Sequence, residues 1–254
     1  MKNRIADISL RKAAIVAGFG YLIIFITGIF SNFFVLESLI VPGDAAKTAN
    51  NIMGNDLLFR IGILSFIIMV VFDVVLAWAF YVLLKPVNKN LSLLSGWLRL
   101  VNSTIFGIAL YNLFSVLQIL SGAEYLKVFV AGQLQAQVML FLNTFNYTWL
   151  IGLVFFGLHL FVLGYLIFKS GYIPRILGIL VIVASVGYLI DSFANFLLPN
   201  YTDYKDIFLL VVVVPGIIGE LSLTFWLLFK GAKIPEMKNL DETPAEKKDT
   251  KRKI

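Results

Sequence analysis

Six long apolar stretches dominate this chain, and each is long enough to cross the hydrocarbon core of a bilayer. A helix needs about twenty apolar residues to span that ~30 Å layer. In lipid the backbone must satisfy its own hydrogen bonds, and the alternating pattern of a transmembrane strand is missing from the sequence. We therefore predict an all-α integral membrane bundle of six transmembrane helices. The predicted helices cover approximately residues 13–36, 57–84, 93–120, 138–168, 176–198 and 207–229.

Composition supports the membrane class and argues against several others. Hydrophobic residues make up 59% of the 254 residues and charged residues only 14%, whereas charged residues are about a quarter of an average soluble protein. The net charge of +6 does not indicate nucleic-acid binding, because the basic residues cluster at the ends of apolar stretches. The absence of cysteine excludes disulfides, thiolate nucleophiles and thiolate metal ligands.

The distribution of basic residues predicts the orientation. Seventeen of the 21 lysines and arginines fall in one set of connections, and the other set holds only Lys47, Arg60, Lys127 and Lys205. The positive-inside rule therefore predicts a multi-pass protein of the cell (cytoplasmic) membrane with both termini inside. Residues 1–233 are expected to form the transmembrane domain, and residues 234–254, rich in lysine and acids, a flexible cytoplasmic tail.

Two connections on the opposite side carry further signals. A turn followed by Asp44, a good N-cap residue, predicts a short outer helix over 45–53. The polar and apolar mixture over 123–137 is compatible with a second helix lying in the interface. Ordered loops remain an alternative for both segments.

The last apolar stretch carries Glu220 near its middle. A charged acid at the centre of a membrane helix costs roughly 2.5–3.5 kcal/mol, and a carboxyl group without a partner is expected to stay protonated. Pro215 and Gly216 precede it and are expected to break the helix, removing one backbone hydrogen bond. A binding or proton site and a satisfied contact between helices are both compatible with this pattern.

Other polar residues at similar depth define a candidate cluster. We predict an intramembrane binding cluster of Glu220, Asp73, Arg99 and Asn102, in which Arg99 pairs with Glu220 or Asp73 because a buried carboxylate requires a cation. An ion pair that only fixes helix register is the alternative interpretation. The secondary candidates are His159, which is expected to be packed or cavity-lining, Asp191 in the outer half, and Asn146 on the fourth helix.

The sequence offers little for catalysis. A single histidine with two central acids is a poor match to zinc ligand sets, and neither a His-x-x-x-His spacing nor a Gly-x-Ser-x-Gly motif occurs. One histidine also cannot supply bis-imidazole haem ligation. We therefore expect no metal, no cofactor and no catalytic residues, although an enzymatic role stays open.

Short motifs in a fixed order resemble an uncharacterised bacterial multi-pass membrane-protein family catalogued as a domain of unknown function. The motifs are Leu58-Phe59-Arg60, Asp73, Lys85-Pro86-Val87, Leu91-Ser92-Leu93-Leu94 leading to Arg99, Gly164-Tyr165-Leu166, Pro174-Arg175 with Leu177-Gly178, Gly219-Glu220, and Trp226 before Lys230-Gly231. The resemblance extends from the first helix to Lys233. It implies a bacterial integral membrane protein of six to seven helices and implies no activity.

These features support three functional hypotheses. The leading one is a non-enzymatic membrane protein that binds or moves a small molecule, lipid or proton through the polar cluster. The alternatives are an intramembrane enzyme acting on lipid, with Glu220 or Asp73 as general acid or base and His159 assisting, and a structural or regulatory membrane subunit. The expected partners are the lipid bilayer and one such ligand, without nucleic acid, and a homo-oligomer is compatible with the sequence.

Overall fold

The computed structural model describes residues 9–234, and within them six helical segments are long and apolar enough to cross a membrane. These spans are Leu10–Leu39, Asp56–Leu84, Lys89–Ile119, Ala131–Ser170, Arg175–Leu197 and Tyr201–Lys233. The prediction of an all-helical membrane bundle with six spans is thereby confirmed. The predicted tail lies outside the described residues, apart from Ile234.

The first three spans are joined by two connections, the first of which contains an additional helix. Helix α1 (Leu10–Ile29) continues through a π-helical segment, Phe30–Leu36, into the short α2 (Glu37–Leu39). A further helix, α3 (Ala45–Gly54), begins where the Asp44 side chain accepts a hydrogen bond from the Lys47 amide at 2.8 Å, as expected of an N-cap. Two long helices follow, α4 (Asp56–Leu84) and α5 (Lys89–Ile119).

The fourth span is longer than predicted. Helix α6 (Ala131–Ser170) has 40 residues, which at 1.5 Å per residue is about 60 Å and therefore roughly twice the hydrocarbon thickness. It includes residues 131–137 of the predicted interfacial segment 123–137, and Glu124–Leu126 in the same segment forms a separate 3-10 turn. Apolarity ends at the membrane boundary, but the glutamine-rich segment 131–137 is still a good helix former and extends the helix beyond it.

The last two spans differ from each other in regularity. Helix α7 (Arg175–Leu197) is continuous. The sixth span comprises α8 (Tyr201–Gly216), a π-helical segment Ile217–Leu221, α9 (Ser222–Lys230) and a 3-10 turn Gly231–Lys233. The chain stays helical through Pro215 and Gly216, so the expected break is wrong, and a π-helix that contains Glu220 follows directly. The expected loss of one backbone hydrogen bond at Pro215 holds, because proline has no amide hydrogen.

The six spans form a ring in chain order. Consecutive helices pack side by side from α4 to α8, α1 packs against α4, and α9 closes the ring against α1. Small residues permit the closest approaches: a Cβ placed on Gly164 of α6 would lie 2.7 Å from the carbonyl oxygen of Gly178 in α7. Such backbone contact is typical of helix packing in lipid.

The interior of the ring is layered. One apolar cluster lies toward the basic ends of the helices and includes Leu83, Ile167 and Leu227. A second apolar cluster fills the opposite half and includes Leu113. In this cluster Phe106 stacks on Trp149, with 3.7 Å between the ring centroids. Polar side chains, all buried except the half-buried Tyr188, lie at the depth where these clusters meet, and we call them the polar layer: Tyr21, Asp73, Ser95, Arg99, Asn102, His159, Tyr188 and Glu220.

Candidate functional site

Arg99 is the centre of the polar layer. Its side chain is completely buried, and Nη2 donates a hydrogen bond of 2.6 Å to Oδ1 of Asp73 in a buried ion pair. The two residues face each other because α4 and α5 form a hairpin, in which Asp73 lies twelve residues before Lys85 and Arg99 ten residues after Lys89. Of the two pairings that the sequence left open, the structure therefore shows the one with Asp73.

His159 is the second direct partner of Arg99. Its Nε2 lies 3.0 Å from Nη1 of Arg99, and its Nδ1 lies 2.9 Å from the carbonyl oxygen of Ser95. A guanidinium can only donate, so Nε2 must accept and Nδ1 must carry the ring proton, which it gives to Ser95. Both nitrogens of this histidine are thus committed to α5, and it belongs to the main cluster rather than to the secondary group.

Two aromatic rings complete the environment of the guanidinium. The Cζ atom of Arg99 lies 5.0 Å from the ring centroid of Tyr21 and 5.4 Å from that of Phe156. Both distances fit cation–π attraction, which is stronger away from water. Nη1 also donates to the Tyr21 hydroxyl at 3.3 Å. The first helix therefore contributes to the site through a tyrosine that the sequence reasoning missed.

Some polar atoms in the layer have no hydrogen-bond partner among residues 9–234. They are Nε of Arg99 and both side-chain polar atoms of Asn102, all buried. Arg99 and Asn102 are three residues apart on α5 and so lie on one face. Unsatisfied buried groups are rare in folded proteins and cost about 1–3 kcal/mol each. This face of α5 therefore has hydrogen-bonding capacity that the described side chains do not use.

Glu220 forms a separate pair beside the Arg99 group. Its Oε1 accepts a hydrogen bond of 2.9 Å from the Tyr188 hydroxyl of α7. Gly216, one turn earlier, leaves room for this contact, because a Cβ there would lie 3.2 Å from the Tyr188 hydroxyl oxygen. The Phe156 ring contacts both groups, since its centroid lies 5.1 Å from that of the Tyr188 ring and 5.4 Å from Cζ of Arg99.

The residues of the polar layer lie at a common depth in the bundle, because each helix holds its polar residue at a similar distance from its basic end. Arg99, His159 and Glu220 each lie ten residues from a lysine, at Lys89, Lys169 and Lys230. That separation corresponds to about 15 Å of helix, near the middle of the bilayer core.

The remaining predicted residues lie elsewhere. Asp191 is half-buried in the second half of α7 and accepts a hydrogen bond of 2.6 Å from the Tyr201 hydroxyl. Asn146 is exposed on α6, 24 residues or about 36 Å from Ser170 at the basic end of that helix, which places it at the opposite boundary of the hydrocarbon core. Neither contributes to the polar layer.

Two residues that were not predicted as site residues, Ser95 and Tyr188, belong to the polar layer. Ser95 is one turn from Arg99 on α5, and Tyr188 shares a face of α7 with Ala184 and Asp191. The signal for Ser95 was therefore present in the helical spacing, whereas nothing in the sequence pairs Tyr188 with Glu220.

The donor set does not favour a metal. Within the described part of the chain, no group of three or more His, Asp or Glu side chains is placed to hold an ion. The layer instead combines one guanidinium, two carboxyl groups, an imidazole and two phenols, which is a set suited to hydrogen bonding and proton exchange.

Comparisons with known proteins agree with this architecture. The family described as "Domain of unknown function (DUF4386)" matches residues 16–231. A curated "Uncharacterized protein" of Archaeoglobus fulgidus is 33% identical over 175 residues, covering 69% of this chain and 86% of its own length. That relative is archaeal, so a bacterial origin of the present chain stays a prediction. No solved structure matches.

The match begins within the first span and ends within the sixth, and it includes every member of the polar layer. It confirms the resemblance inferred from the ordered motifs. The chain is a multi-pass membrane protein that belongs to the DUF4386 family.

Proposed function

We propose that this protein binds or moves a small molecule, lipid or proton through the polar layer, and that a proton is the species the geometry supports best. The observation that carries this proposal is the combination of two buried carboxyl groups with a single buried guanidinium. Asp73 has the guanidinium as its partner at 2.6 Å, whereas the only hydrogen-bond partner of the Glu220 carboxyl group among the described residues is a phenol at 2.9 Å.

The charge balance identifies the group that exchanges the proton. Arg99 supplies one permanent positive charge, and its ion pair with Asp73 is neutral. A second full negative charge in a layer away from water is unfavourable unless it is compensated. Glu220 is therefore the carboxyl group that gains and loses a proton, and the neutral Asp73–Arg99 pair is the fixed background.

The position of Glu220 in its helix supports access to it. The π-helix Ile217–Leu221 divides the sixth span into two parts with different neighbours, since α8 packs against α7 and α9 packs against α1. π-Helical segments occur frequently at functional sites. Glu220 lies at the point where the span changes partner, so a small shift of α8 alters its surroundings without disturbing the Arg99 group.

A proton-flux assay tests the proposal. We expect the purified protein in liposomes to dissipate an imposed pH gradient, followed with a trapped pH-sensitive dye, and Glu220→Gln to abolish this activity. Asp191→Asn is the matched control, because it alters an acid of the outer half and leaves the polar layer intact. Flux that is unchanged in Glu220→Gln, or absent from the wild-type protein, contradicts the proposal.

A structural role is the second candidate, and the dense bonding around Arg99 favours it. In that case the polar layer only holds α1, α4, α5 and α6 in register. Glu220→Gln would then lower the thermal stability of the protein in detergent while no proton flux is measured for either form.

The proposal also includes a location and an orientation. The basic ends of α4, α6 and α9, marked by Lys85, Lys169 and Lys230, lie on one side of the bundle. By the positive-inside rule that side faces the cytoplasm, which puts both termini inside the cell.

A further inference from the structure

A cleft of about 250 Å³ lies at the basic end of the bundle, away from the polar layer. It is lined by Tyr172, Trp226, Lys230, Lys233 and Ile234. Trp226 and Lys230 are one turn apart on α9, and Tyr172 belongs to the connection between α6 and α7. The cleft therefore opens where three spans reach the membrane boundary.

Contacts with other helices hold its walls in place. The Tyr172 hydroxyl donates to the Leu83 carbonyl oxygen of α4, and burial raises the pKa of this phenol, so the hydroxyl keeps its proton and remains a donor. The carbonyl oxygen of Ile234 accepts a hydrogen bond of 2.8 Å from Nε of Arg11. Gly231 lies against α1, since a Cβ there would be 3.0 Å from Cβ of Ala14. The cleft is thus formed before any ligand arrives.

The lysines and aromatic rings that line the cleft are residue types suited to binding a lipid head group. Lys230 and Lys233 are exposed, and neither forms an ion pair with another residue in the range 9–234. Trp226 and Tyr172 are half-buried amphipathic rings of the kind that lie at the head-group level of a bilayer. Phe225 and Phe229 continue from this end along the lipid-facing side of α9, where 49% and 73% of their surface is exposed.

We propose that this cleft binds the phosphate head group of an anionic phospholipid, with both lysines at the phosphate and the acyl chains along Phe225 and Phe229. Basic pockets between spans on the cytoplasmic side are suited to such head groups, and each nearby lysine contributes on the order of 1 kcal/mol. The proposal is independent of proton exchange at Glu220, which lies about 15 Å away along the same helix.

Native mass spectrometry of the full-length protein from detergent tests it. With phosphatidylglycerol and phosphatidylcholine of identical acyl chains supplied at equal concentration, we expect one phosphatidylglycerol to be retained preferentially. The double variant Lys230→Ala/Lys233→Ala should bind it roughly thirtyfold more weakly. The control Lys85→Ala/Lys169→Ala removes two lysines from the same boundary outside the cleft and should retain the lipid. Thermal unfolding of both variants verifies that they are folded.

Three outcomes overturn the proposal. The first is equal retention of the two lipids, and the second is equal loss in the cleft and control variants. The third is displacement by inorganic phosphate at matched ionic strength, which would make the cleft a site for free phosphate.

Discussion

A buried arginine is the costliest side chain in this protein, and the residues around it offset that cost. Taking a guanidinium out of water carries a penalty of several kcal/mol, which one carboxylate repays only when the remaining donors are also satisfied. Asp73, Tyr21 and His159 occupy both Nη atoms, and two rings cover the faces. Only Nε is left without a partner among the described residues.

Removal of the Asp73 carboxylate should strongly destabilise the protein. We expect Asp73→Asn to lower the free energy of unfolding by about 3–5 kcal/mol, because it leaves the Arg99 charge buried and uncompensated. The double variant Asp73→Asn/Arg99→Met should lose less than the single variant, since it removes both charges together. Thermal and denaturant unfolding in detergent measure both. A single variant as stable as the wild-type protein would show that the ion pair contributes little.

Substitution of Asn102 by an apolar residue should stabilise the protein. Its amide is buried and has no partner within residues 9–234, so Asn102→Leu, which is close in size, should raise the free energy of unfolding by about 1 kcal/mol. Ser103→Ala on the same turn is the comparison, because its hydroxyl donates to the Val70 carbonyl oxygen at 3.1 Å and its loss should destabilise. A fall in stability for Asn102→Leu would mean that the amide binds water or another polar group.

Part of this site could be predicted from the sequence and part could not. Asp73 and Arg99 lie at similar depth on consecutive helices, so their pairing follows from a hairpin. The role of His159 was less visible, because the sequence indicated only a packed or cavity-lining residue and offered Asn146 of the same helix as an equal candidate. Asn146 is exposed, whereas the face of α6 with Gly152, Phe156 and His159 is the interior one.

At the scale of helices, the irregular sixth span packs against two different neighbours, because α8 contacts α7 and α9 contacts α1. Pro215 has no amide hydrogen, so the Val211 carbonyl oxygen loses its usual partner within the helix. Gly187 of α7 allows the backbone to come close at this point: a Cβ there would lie 2.5 Å from that oxygen. The π-helix and the close approach of α7 and α8 together fix where Glu220 points.

Gly187→Ala should therefore destabilise the protein. The added methyl group collides with the Val211 backbone, which cannot yield as a flexible side chain can, so a loss of about 1–3 kcal/mol is expected. Gly107→Ala is the matched control on the lipid-facing side of α5, where nothing lies within 4 Å of the new methyl group, and the better helix propensity should leave it neutral or slightly more stable. Equal thermal stability of the two variants would contradict the close packing of α7 and α8.

The lengths of the helices could be predicted only within the membrane. Hydropathy predicted every span, but it placed the first residue of α6 at 138 and the first residue of α8 at 207. The helices actually start earlier, at Ala131 and Tyr201. Polar residues continue a helix as readily as apolar ones once it has formed, so composition marks where lipid ends and not where the helix ends.

At the scale of the whole molecule, orientation can be measured directly because the chain has no cysteine. Single cysteines introduced at Lys89 and Ser170 should react with a membrane-impermeant maleimide only after the cells are opened. Cysteines at Lys47 and Tyr125, on the opposite connections, should react in intact cells. The reverse pattern would place both termini outside.

The depth of the polar layer also has an electrical consequence. Moving one elementary charge across a whole membrane is worth about 2.3 kcal/mol per 100 mV, and a layer roughly halfway across experiences about half of that. Under the proposed proton exchange, a proton that reaches Glu220 from one surface gains or loses about 1.15 kcal/mol per 100 mV, which changes its occupancy about sevenfold. The voltage of an energised cell would then set the charge of this carboxyl group as directly as the pH on either side.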